Sequence, residues 1–249
     1  MTGLTLAAAQ SISIPGDVPA NILRHMAFMQ LAAEQGVQLL VFPELSLTGY
    51  EPSLAADLVI APDAAQLTPL CVMARELRLT VVVGMPIRIA PDAGVMIGAL
   101  VLGADGSRAV YTKQYLHPGE EVAFVPGQGG VALEFGGDRI ALSVCADFTH
   151  ASHPRAAAEA GANVYAASVL ISEGGYAKDC AQLQNYAAEY RLLVLMANHG
   201  GPSGGWDCAG RSAIWSADGR LLAAVPGVGE ALLVACRDEG VWAGQVVAL

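Results

Sequence analysis

The stretch "VQLLVFPE", residues 37–44, is an apolar run that ends in a proline and a carboxylate. Consecutive Val and Leu residues without polar alternation predict a β-strand that is buried on both faces, as in the central strands of α/β sheets. Pro43 has no N–H for a ladder hydrogen bond, so we expect the strand to end there and to leave Glu44 at its carboxyl end. This strand indicates a sheet that is covered by helices.

Similar apolar runs alternate along the chain with segments of helical spacing. Helices are predicted over residues 21–35, 63–77, 154–160 and 178–190. Single strands are predicted over residues 4–10, 37–44, 80–87, 139–147, 163–170, 192–198 and 230–238. No linker and no internal repeat interrupts this alternation, so we expect a single domain over residues 1–249.

Two hairpins are predicted among these units. They cover residues 94–115 and 210–225 and turn at Asp105-Gly106 and Asp218-Gly219, because Asp-Gly is a strong hairpin signal. Hairpins among β-α units make the sheets mixed. The predicted total of about eleven strands is large for one open sheet. We therefore expect an α/β fold of two stacked mixed sheets with helices outside, a four-layer α-β-β-α sandwich.

Composition excludes several classes of function. Hydrophobic residues make up 54% of the 249 residues and charged residues 14%, which suits a large buried core. The net charge of −10 argues against nucleic acid as a partner, because phosphate contacts need clustered Lys and Arg. Residues 93–104 form an apolar stretch well short of the roughly 20 residues that a membrane-spanning helix needs.

The cysteines and the N-terminal residues indicate a cytoplasmic protein. No Lys or Arg precedes Arg24, so the basic start of a signal peptide is missing. The five cysteines are scattered and form no C-x-x-C pair, as expected for free thiols in a reducing compartment. Each of them could therefore act as a nucleophile or a metal ligand.

Three predicted strands each place one reactive residue at or near their carboxyl end, where α/β sheets usually bind ligands: Glu44, Lys113 and Cys145. A nearby ammonium lowers the pKa of a thiol, and a carboxylate whose pKa is raised by burial can accept the thiol proton. The thiolate would then attack a carbonyl or nitrile carbon. Lys113 and the backbone N–H of Ala146 would donate hydrogen bonds to the resulting oxyanion. Each such donor stabilises the transition state by about 3–4 kcal/mol.

Three segments resemble the signature blocks of the carbon–nitrogen hydrolase (nitrilase) superfamily, in its amidase-like branch. They are "FPELSLTGY" (residues 42–50), "YTKQYLHPGEEVAFVPG" (residues 111–127) and "SVCAD" (residues 143–147). The reactive residues follow in the order Glu, Lys, Cys, separated by 69 and 32 residues. The likeness covers nearly the whole chain, and three blocks in order are far more specific than one.

The resemblance implies a role for each of these residues. Cys145 is the nucleophile that forms a thioester, Glu44 the general base and Lys113 the residue that stabilises the oxyanion. A second glutamate that positions Lys113 falls at Glu120, with Glu121 as its neighbouring competitor. Asn198, in "LMANHGG", resembles an asparagine that ends a late strand close to the pocket, which implies that it binds substrate.

The resemblance also implies the fold and the reaction. The fold is the α-β-β-α sandwich, commonly assembled into a homodimer or a higher homo-oligomer. The reaction is hydrolysis of a small amide with release of ammonia. N-carbamoyl compounds or nitriles are alternative substrates, and a catalytically silent binding protein is the alternative of another class. No metal ion and no organic cofactor are implied.

The chain departs from the family pattern in two places. Tyr186 and Tyr190 stand where an R-A-x-E-N block has Arg and Asn, although Glu189 is kept. "ADFTHASHP", residues 146–154, differs from the commoner Y-D-x-R-F-P-E. Because this segment borders the acyl pocket, the best-known branches do not supply the substrate. Candidate cations for a carboxylated substrate are Arg155, Arg191 and Arg211.

Other readings of the same residues are possible. Cys145, His150 and His153, with His117 in reserve, have a C-x4-H-x2-H spacing, but no C-x-x-C or H-E-x-x-H supports a metal site. A Cys145–His150 pair would resemble a cysteine protease dyad, yet neighbours in sequence rarely reach that geometry. Ser203 lies in a literal G-x-S-x-G, which here precedes a loop and a hairpin and not the helix of a nucleophile elbow.

Overall fold

The computed structural model describes residues 3–90 and 92–249. Residues 1, 2 and 91 of the predicted single domain lie outside this range. The strands and α-helices follow in the order β1 (Thr5–Gln10), α1 (Val18–Glu34), β2 (Leu39–Val41), α2 (Thr68–Glu76), β3 (Thr80–Ile87), β4 (Met96–Leu102), β5 (Arg108–Thr112), β6 (Leu133–Phe135), β7 (Asp138–Val144), α3 (Ser152–Glu159), β8 (Val164–Val169), α4 (Tyr176–Tyr190), β9 (Leu193–Asn198), β10 (Ala213–Trp215), β11 (Leu221–Ala224), β12 (Ala231–Asp238) and β13 (Val241–Ala248).

The strands form two mixed sheets, as predicted. A seven-stranded sheet has the order β13-β12-β1-β2-β3-β4-β5, and a six-stranded sheet has the order β11-β10-β9-β8-β7-β6. The pairs β1–β2, β2–β3, β7–β8 and β8–β9 are parallel, and the other pairs are antiparallel. Two antiparallel steps make β5 run in the same direction as β2, so their carboxyl ends meet at one edge.

Three apolar clusters show how the layers stack. One cluster lies between the sheets and joins β1, β2 and β4 to β7, β8 and β9. A second packs α1 and α2 on the outer face of the seven-stranded sheet, and a third packs α3 and α4 on the outer face of the other. Continuous apolar strands are required here, because each central strand contacts a sheet on one face and helices on the other. The predicted α-β-β-α sandwich is confirmed.

The element boundaries differ from the predicted ones for local reasons. Helix α1 starts earlier, at Val18, because the side chain of Asp17 caps it by accepting a hydrogen bond from the Ala20 N–H at 3.0 Å. Strand β2 is only three residues long, since the chain turns out of the sheet before Glu44. Helix α2 begins five residues later than predicted, after a short 3₁₀ turn.

Two strands, β6 and β13, extend the predicted set. Strand β13 follows β12 through a tight turn in which Glu239 and Gly240 have φ values of 46° and 83°. Positive φ at both positions is the geometry of a type I′ hairpin turn, which Gly favours and Glu does not. Across residues 3–90 and 92–249, no helix is long and apolar enough to cross a membrane.

Candidate active site

Glu44 lies on a sharp turn that follows β2. The next residue, Leu45, has a φ of 53°, a left-handed conformation that costs a non-glycine residue roughly 1–2 kcal/mol. Gly84 on the neighbouring strand allows this turn, because a Cβ there would stand 2.3 Å from the Leu45 nitrogen. The hydroxyl of Ser168, from the other sheet, donates to the Phe42 carbonyl oxygen at 2.7 Å. The turn therefore holds a buried carboxylate at the junction of the two sheets.

Lys113 follows β5 directly and is completely buried. Its Nζ lies 2.7 Å from Oε1 of Glu44 and 2.7 Å from Oε1 of Glu120. A buried ammonium requires such partners, because the desolvation of an unpaired charge is very unfavourable. Two of its three N–H donors are used by the carboxylates, which leaves one to donate to a ligand.

Glu120 is the glutamate that reaches Lys113. It begins a short 3₁₀ turn after Gly119, whose φ is 98°. Oε1 also accepts a hydrogen bond from the hydroxyl of Tyr50 at 2.7 Å, and Oε2 accepts one from the His117 N–H at 2.8 Å. Glu121 is exposed, and its carboxylate accepts from the Gly119 N–H on the outside of the turn.

Cys145 lies directly after β7 and has a φ of 42°. It is the first residue of the 3₁₀ turn Cys145–Thr149, and its Sγ lies 3.5 Å from the Leu170 carbonyl oxygen. The N–H groups of the first turn of a helix have no partner within that helix, so the Ala146 N–H is available to a ligand beside the sulfur. The strained backbone places the thiol at the cavity wall, which is typical of functional residues.

The three titratable groups influence one another. Burial is the largest cause that raises the pKa of Glu44, to about 7, and the Lys113 ammonium opposes it. Burial also raises the pKa of the Cys145 thiol well above its usual value, with the Glu44 carboxylate as the next cause. Burial alone would lower the pKa of Lys113, but Glu44 and the other surrounding acidic groups together raise it. The lysine is therefore charged, and the thiol holds its proton until a base accepts it.

Glu44, Glu120 and Cys145 line a cavity of about 390 Å³, and the buried Lys113 contacts both carboxylates. Its lining is formed by Glu44, Tyr50, His117, Glu120, Cys145, Ala146, Phe148, Thr149, Leu170, Ser172, Gly175, Lys178, Asp179 and Trp206. Within the described part of the chain, Oε2 of Glu44 has no hydrogen-bond partner although it is buried. An unpaired carboxylate oxygen near a thiol is suited to accept a proton.

Asp147 connects the 3₁₀ turn Cys145–Thr149 (the cysteine turn) to strand β5 and the residues that follow it, including Lys113 (the lysine strand). Its Oδ1 accepts hydrogen bonds from the N–H groups of Gln114 and Tyr115, both at 2.9 Å. Its Oδ2 accepts from the Val144 N–H at 3.0 Å and from the Tyr111 hydroxyl at 2.7 Å. Four donors from two segments converge on one fully buried carboxylate, so the positions of Lys113 and Cys145 are coupled.

Asn198 does not line the cavity, contrary to the expectation that it contacts ligand. Its side chain is buried and bonded to backbone: Oδ1 accepts from the Ile171 N–H at 2.8 Å, and Nδ2 donates to the carbonyl oxygens of Ile171 and Gly210 at 3.1 and 2.8 Å. An amide with these partners fastens β8 to the loop before β10. The arginines suggested for a substrate carboxylate are also absent from the residues that line the cavity.

The other predicted histidine and serine sites are dispersed. His150 stacks on Tyr115 with ring centroids 3.9 Å apart, and His153 contacts the hydroxyls of Tyr111 and Tyr165, both at 2.8 Å. Among the described residues, no group of three or more His, Cys, Asp or Glu side chains is arranged to hold a metal ion. Ser203 accepts a hydrogen bond from the Tyr50 N–H at 2.8 Å and stabilises a loop.

Several residues of the site were not singled out from the sequence: Tyr50, Asp147, Ser168, His199 and Trp206. Tyr50 and Asp147 lie inside the signature segments, where proximity to Glu44 and Cys145 is a usable signal. Ser168 and His199 are polar residues at the ends of apolar strands. Only the stacking of the two sheets brings them to the turn that contains Phe42 and Glu44.

A family model of carbon–nitrogen hydrolases matches residues 5–243. The chain belongs to the carbon–nitrogen hydrolase family. Among solved structures, it is similar to an amidase from Nesterenkonia sp. AN1. A variant of that amidase in complex with butyramide has a TM-score of 0.86 at 29% identity, covering 96% of this chain and 92% of the other. Another variant, at 30% identity with 95% and 91% covered and a TM-score of 0.86, carries the acetamide moiety of fluoroacetamide on its active-site cysteine.

Curated relatives of this carbon–nitrogen hydrolase differ in length. A glutamine-dependent NAD(+) synthetase from Thermotoga maritima is 25% identical over 237 residues, which cover 89% of this chain. The chain spans only 40% of the length of that synthetase. An (R)-stereoselective amidase from a Pseudomonas species is 27% identical over 229 residues, which cover 90% of this chain and 78% of the relative.

Proposed function

We propose that this carbon–nitrogen hydrolase hydrolyses a small amide to a carboxylate and ammonia through a thioester on Cys145. The observation that carries the proposal is the Lys113 ammonium, which lies 2.7 Å from both Glu44 and Glu120. These two carboxylates and Cys145 line the same cavity. The covalent adduct on the cysteine of the Nesterenkonia amidase supports the same chemistry.

In the first half of the reaction, Glu44 accepts the proton of Cys145, and the thiolate attacks the carbonyl carbon of the amide. The new C–S bond leaves a tetrahedral oxyanion, to which Lys113 Nζ and the Ala146 N–H donate. The intermediate then collapses. The C–N bond breaks, Glu44 returns its proton to the leaving nitrogen, and ammonia departs.

In the second half, water attacks the thioester carbonyl while Glu44 accepts one of its protons. The second tetrahedral intermediate is stabilised by the same two donors. Its C–S bond breaks, the thiolate regains the proton from Glu44, and the carboxylic acid leaves and loses its remaining proton to water or ammonia. Glu120 accepts from Lys113 and Tyr50 throughout and holds the ammonium between the two carboxylates.

The substrate is proposed to be a short, neutral amide. Aromatic and aliphatic side chains of Tyr50, Phe148, Leu170 and Trp206 form much of the wall. A substrate carboxylate would face Glu44, Glu120 and Asp179, with Lys178 as the one Lys or Arg among the described lining residues. Butyramide in the complex of the Nesterenkonia amidase is a ligand of this kind.

The three candidate arginines lie elsewhere. Arg211 pairs with Glu173, and its guanidinium lies 4.0 Å from the centre of the Tyr176 ring. Arg191 lines a separate cavity, and Arg155 is exposed on α3. A dicarboxylate monoamide is therefore a poorer match to this cavity than an aliphatic amide.

Residues 1–249 are proposed to act as one domain without a cofactor. The core between the two sheets includes residues from Leu4 to Trp242, so the two sheets share one apolar interior. A homodimer or a higher homo-oligomer in the cytoplasm is proposed from the family resemblance and from the scattered free cysteines.

An ammonia-release screen tests the reaction. The panel consists of short aliphatic amides, glutaramate-type ω-amides, N-carbamoyl compounds and nitriles, with the Cys145→Ala protein as the blank. We expect the highest kcat/KM with the neutral aliphatic amides and no turnover by Cys145→Ala. Ammonia release that is undiminished in Cys145→Ala would contradict the proposal, and a preference for N-carbamoyl compounds or nitriles would redirect it to those substrates.

A further inference from the structure

A buried histidine contacts the backbone of Glu44. His199 follows β9 and is completely buried, and its Nε2 lies 2.7 Å from the carbonyl oxygen of Glu44. A carbonyl oxygen only accepts hydrogen bonds, so Nε2 carries the hydrogen and donates it. Nδ1 then presents a lone pair, and it has no partner among the described residues. The side chain thus makes one hydrogen bond, and that bond goes to the candidate base.

The carbonyl of Glu44 needs such a donor. Strand β2 ends at Val41, so this carbonyl lies beyond the parallel ladder of the sheet. A buried carbonyl without a partner is strongly disfavoured. In addition, the left-handed Leu45 follows immediately. A donor fixed on the other sheet therefore opposes rotation of the Glu44–Leu45 peptide, which would swing the Glu44 side chain away from Cys145.

Other polar contacts hold the same turn at different points. Ser168 donates to the Phe42 carbonyl, and the His25 ring contacts the Ser46 hydroxyl at 2.9 Å. These contacts flank Glu44, whereas His199 binds Glu44 itself. His199 also fills a buried volume next to the Glu44 peptide.

We propose that His199 is a positioning residue that fixes the peptide of Glu44 and keeps water from its carboxylate. The inference rests on the proposed role of Glu44 as the base that accepts the Cys145 proton. It assigns a function in the reaction to a histidine that does not touch the substrate.

The charged groups around this contact define what should change when it is lost. Glu44 faces Lys113, Glu120, Cys145 and Tyr50, and burial is the largest cause that raises its pKa to about 7. Burial lowers the pKa of His199 to about 4, so its ring is neutral throughout the neutral pH range. The nearby His25 is also neutral there, because burial lowers its pKa to about 4. His199 therefore acts through geometry and exclusion of water, without a charge of its own.

The test compares His199→Leu, His199→Gln and His199→Asn with the wild-type protein. The amide nitrogen of Gln stands as many bonds from Cα as Nε2 of His, so Gln can restore the donor. The side chain of Asn is shorter and cannot reach the carbonyl oxygen, while it remains polar. Met29→Ala, in the cluster between α1 and the seven-stranded sheet, is the control for a general loss of stability.

Two pH profiles are measured from pH 5 to 9. One is kcat/KM for amide hydrolysis, and the other is the rate at which iodoacetamide alkylates Cys145, followed by mass spectrometry of the Cys145 peptide. The alkylation profile reports the transfer of the thiol proton to Glu44 and requires no knowledge of the substrate. A wild-type protein that releases no ammonia would count against the proposed function, while the alkylation profiles would still test His199.

We expect His199→Leu and His199→Asn to lower kcat at least tenfold with little change in KM. We also expect the acid limb of both profiles to move down by about one pH unit, because water that reaches Glu44 relieves the desolvation that raises its pKa. His199→Gln should keep the acid limb of both profiles at the wild-type pH. Met29→Ala should lower the melting temperature and leave the acid limb at the wild-type pH. Profiles of His199→Leu and His199→Asn that coincide with the wild type, whatever the change in melting temperature, would overturn the proposal.

Discussion

Lys113 and Glu120 are seven residues apart in the chain, and Nζ of the first lies 2.7 Å from Oε1 of the second. Glu120 therefore acts on the same ammonium that contacts Glu44. The neighbouring Glu121 points to the outside of the turn. Adjacent glutamates with opposite surroundings provide a matched pair for mutation.

Glu120→Gln is expected to lower kcat by about 100-fold, because Lys113 loses one of its two charged partners and its orientation, and small misplacements of catalytic groups have effects of this size. Steady-state kinetics with a short aliphatic amide measure the change. Glu121→Gln is the control and should stay within about twofold of the wild type, since surface substitutions are usually near neutral. Equal losses in the two variants would contradict the assignment of Glu120.

The pH dependence of the reaction should report Glu44. Its pKa is raised to about 7, chiefly by burial, and a base must be unprotonated to accept the thiol proton. We therefore expect kcat/KM to rise with pH and to level off above a midpoint near 7. The check is a rate profile from pH 5 to 9 with initial-rate controls for stability.

Glu44→Gln serves as the comparison for this profile, because glutamine cannot accept the proton. It should abolish turnover while leaving the protein folded, as judged by circular dichroism. A wild-type kcat/KM that stays nearly constant down to pH 5, as the ordinary carboxyl pKa of about 4.3 would give, would show that Glu44 is not desolvated as the structure indicates.

Asp147→Asn is expected to impair both folding and rate. The amide would place N–H donors against the backbone N–H groups that now donate to the carboxylate, and each buried group left unpaired costs about 1–3 kcal/mol. A lower melting temperature and a kcat reduced at least tenfold would follow, because the lysine strand and the cysteine turn lose their common acceptor.

Asp138→Asn separates an effect on stability from an effect on the rate of the reaction. Asp138 is also a buried aspartate; it lies at the opposite end of β7 and accepts hydrogen bonds from Arg237 and from Asn163. We expect this variant to lose stability and to keep its kcat. If Asp138→Asn lowered kcat as much as Asp147→Asn, loss of stability alone would explain both variants.

The sequence predicts the fold well where the signals are local. Long apolar strands such as β3 and the two Asp-Gly hairpins appear where the patterns place them. Strand β13 was missed because its turn uses Glu239 in a left-handed conformation, which no propensity favours. Its alternating exposed residues at the edge of a sheet also lack the apolar run that marks the central strands.

The site is predictable only in part for a physical reason. Glu44 and Lys113 follow strands of one sheet that run in the same direction, so topology brings their ends together. Cys145 follows a strand of the other sheet and reaches them through the stacking of the two sheets. The contacts of His199 and Ser168 with the Glu44 turn depend on the register between two sheets, and side-chain periodicity within one strand carries no information about that register. Asn198 ends a strand as expected, yet the direction of its amide depends on the loop that contains Gly210.

The left-handed backbone of Cys145 has a consequence for the natural variation of this protein. Glycine is the residue that tolerates such a conformation best, and yet the chain keeps a thiol there. At position 145, relief of the backbone strain favours glycine, whereas the reaction requires the thiol of cysteine. Random mutagenesis selected only for thermal survival should accumulate inactive glycine substitutions at position 145.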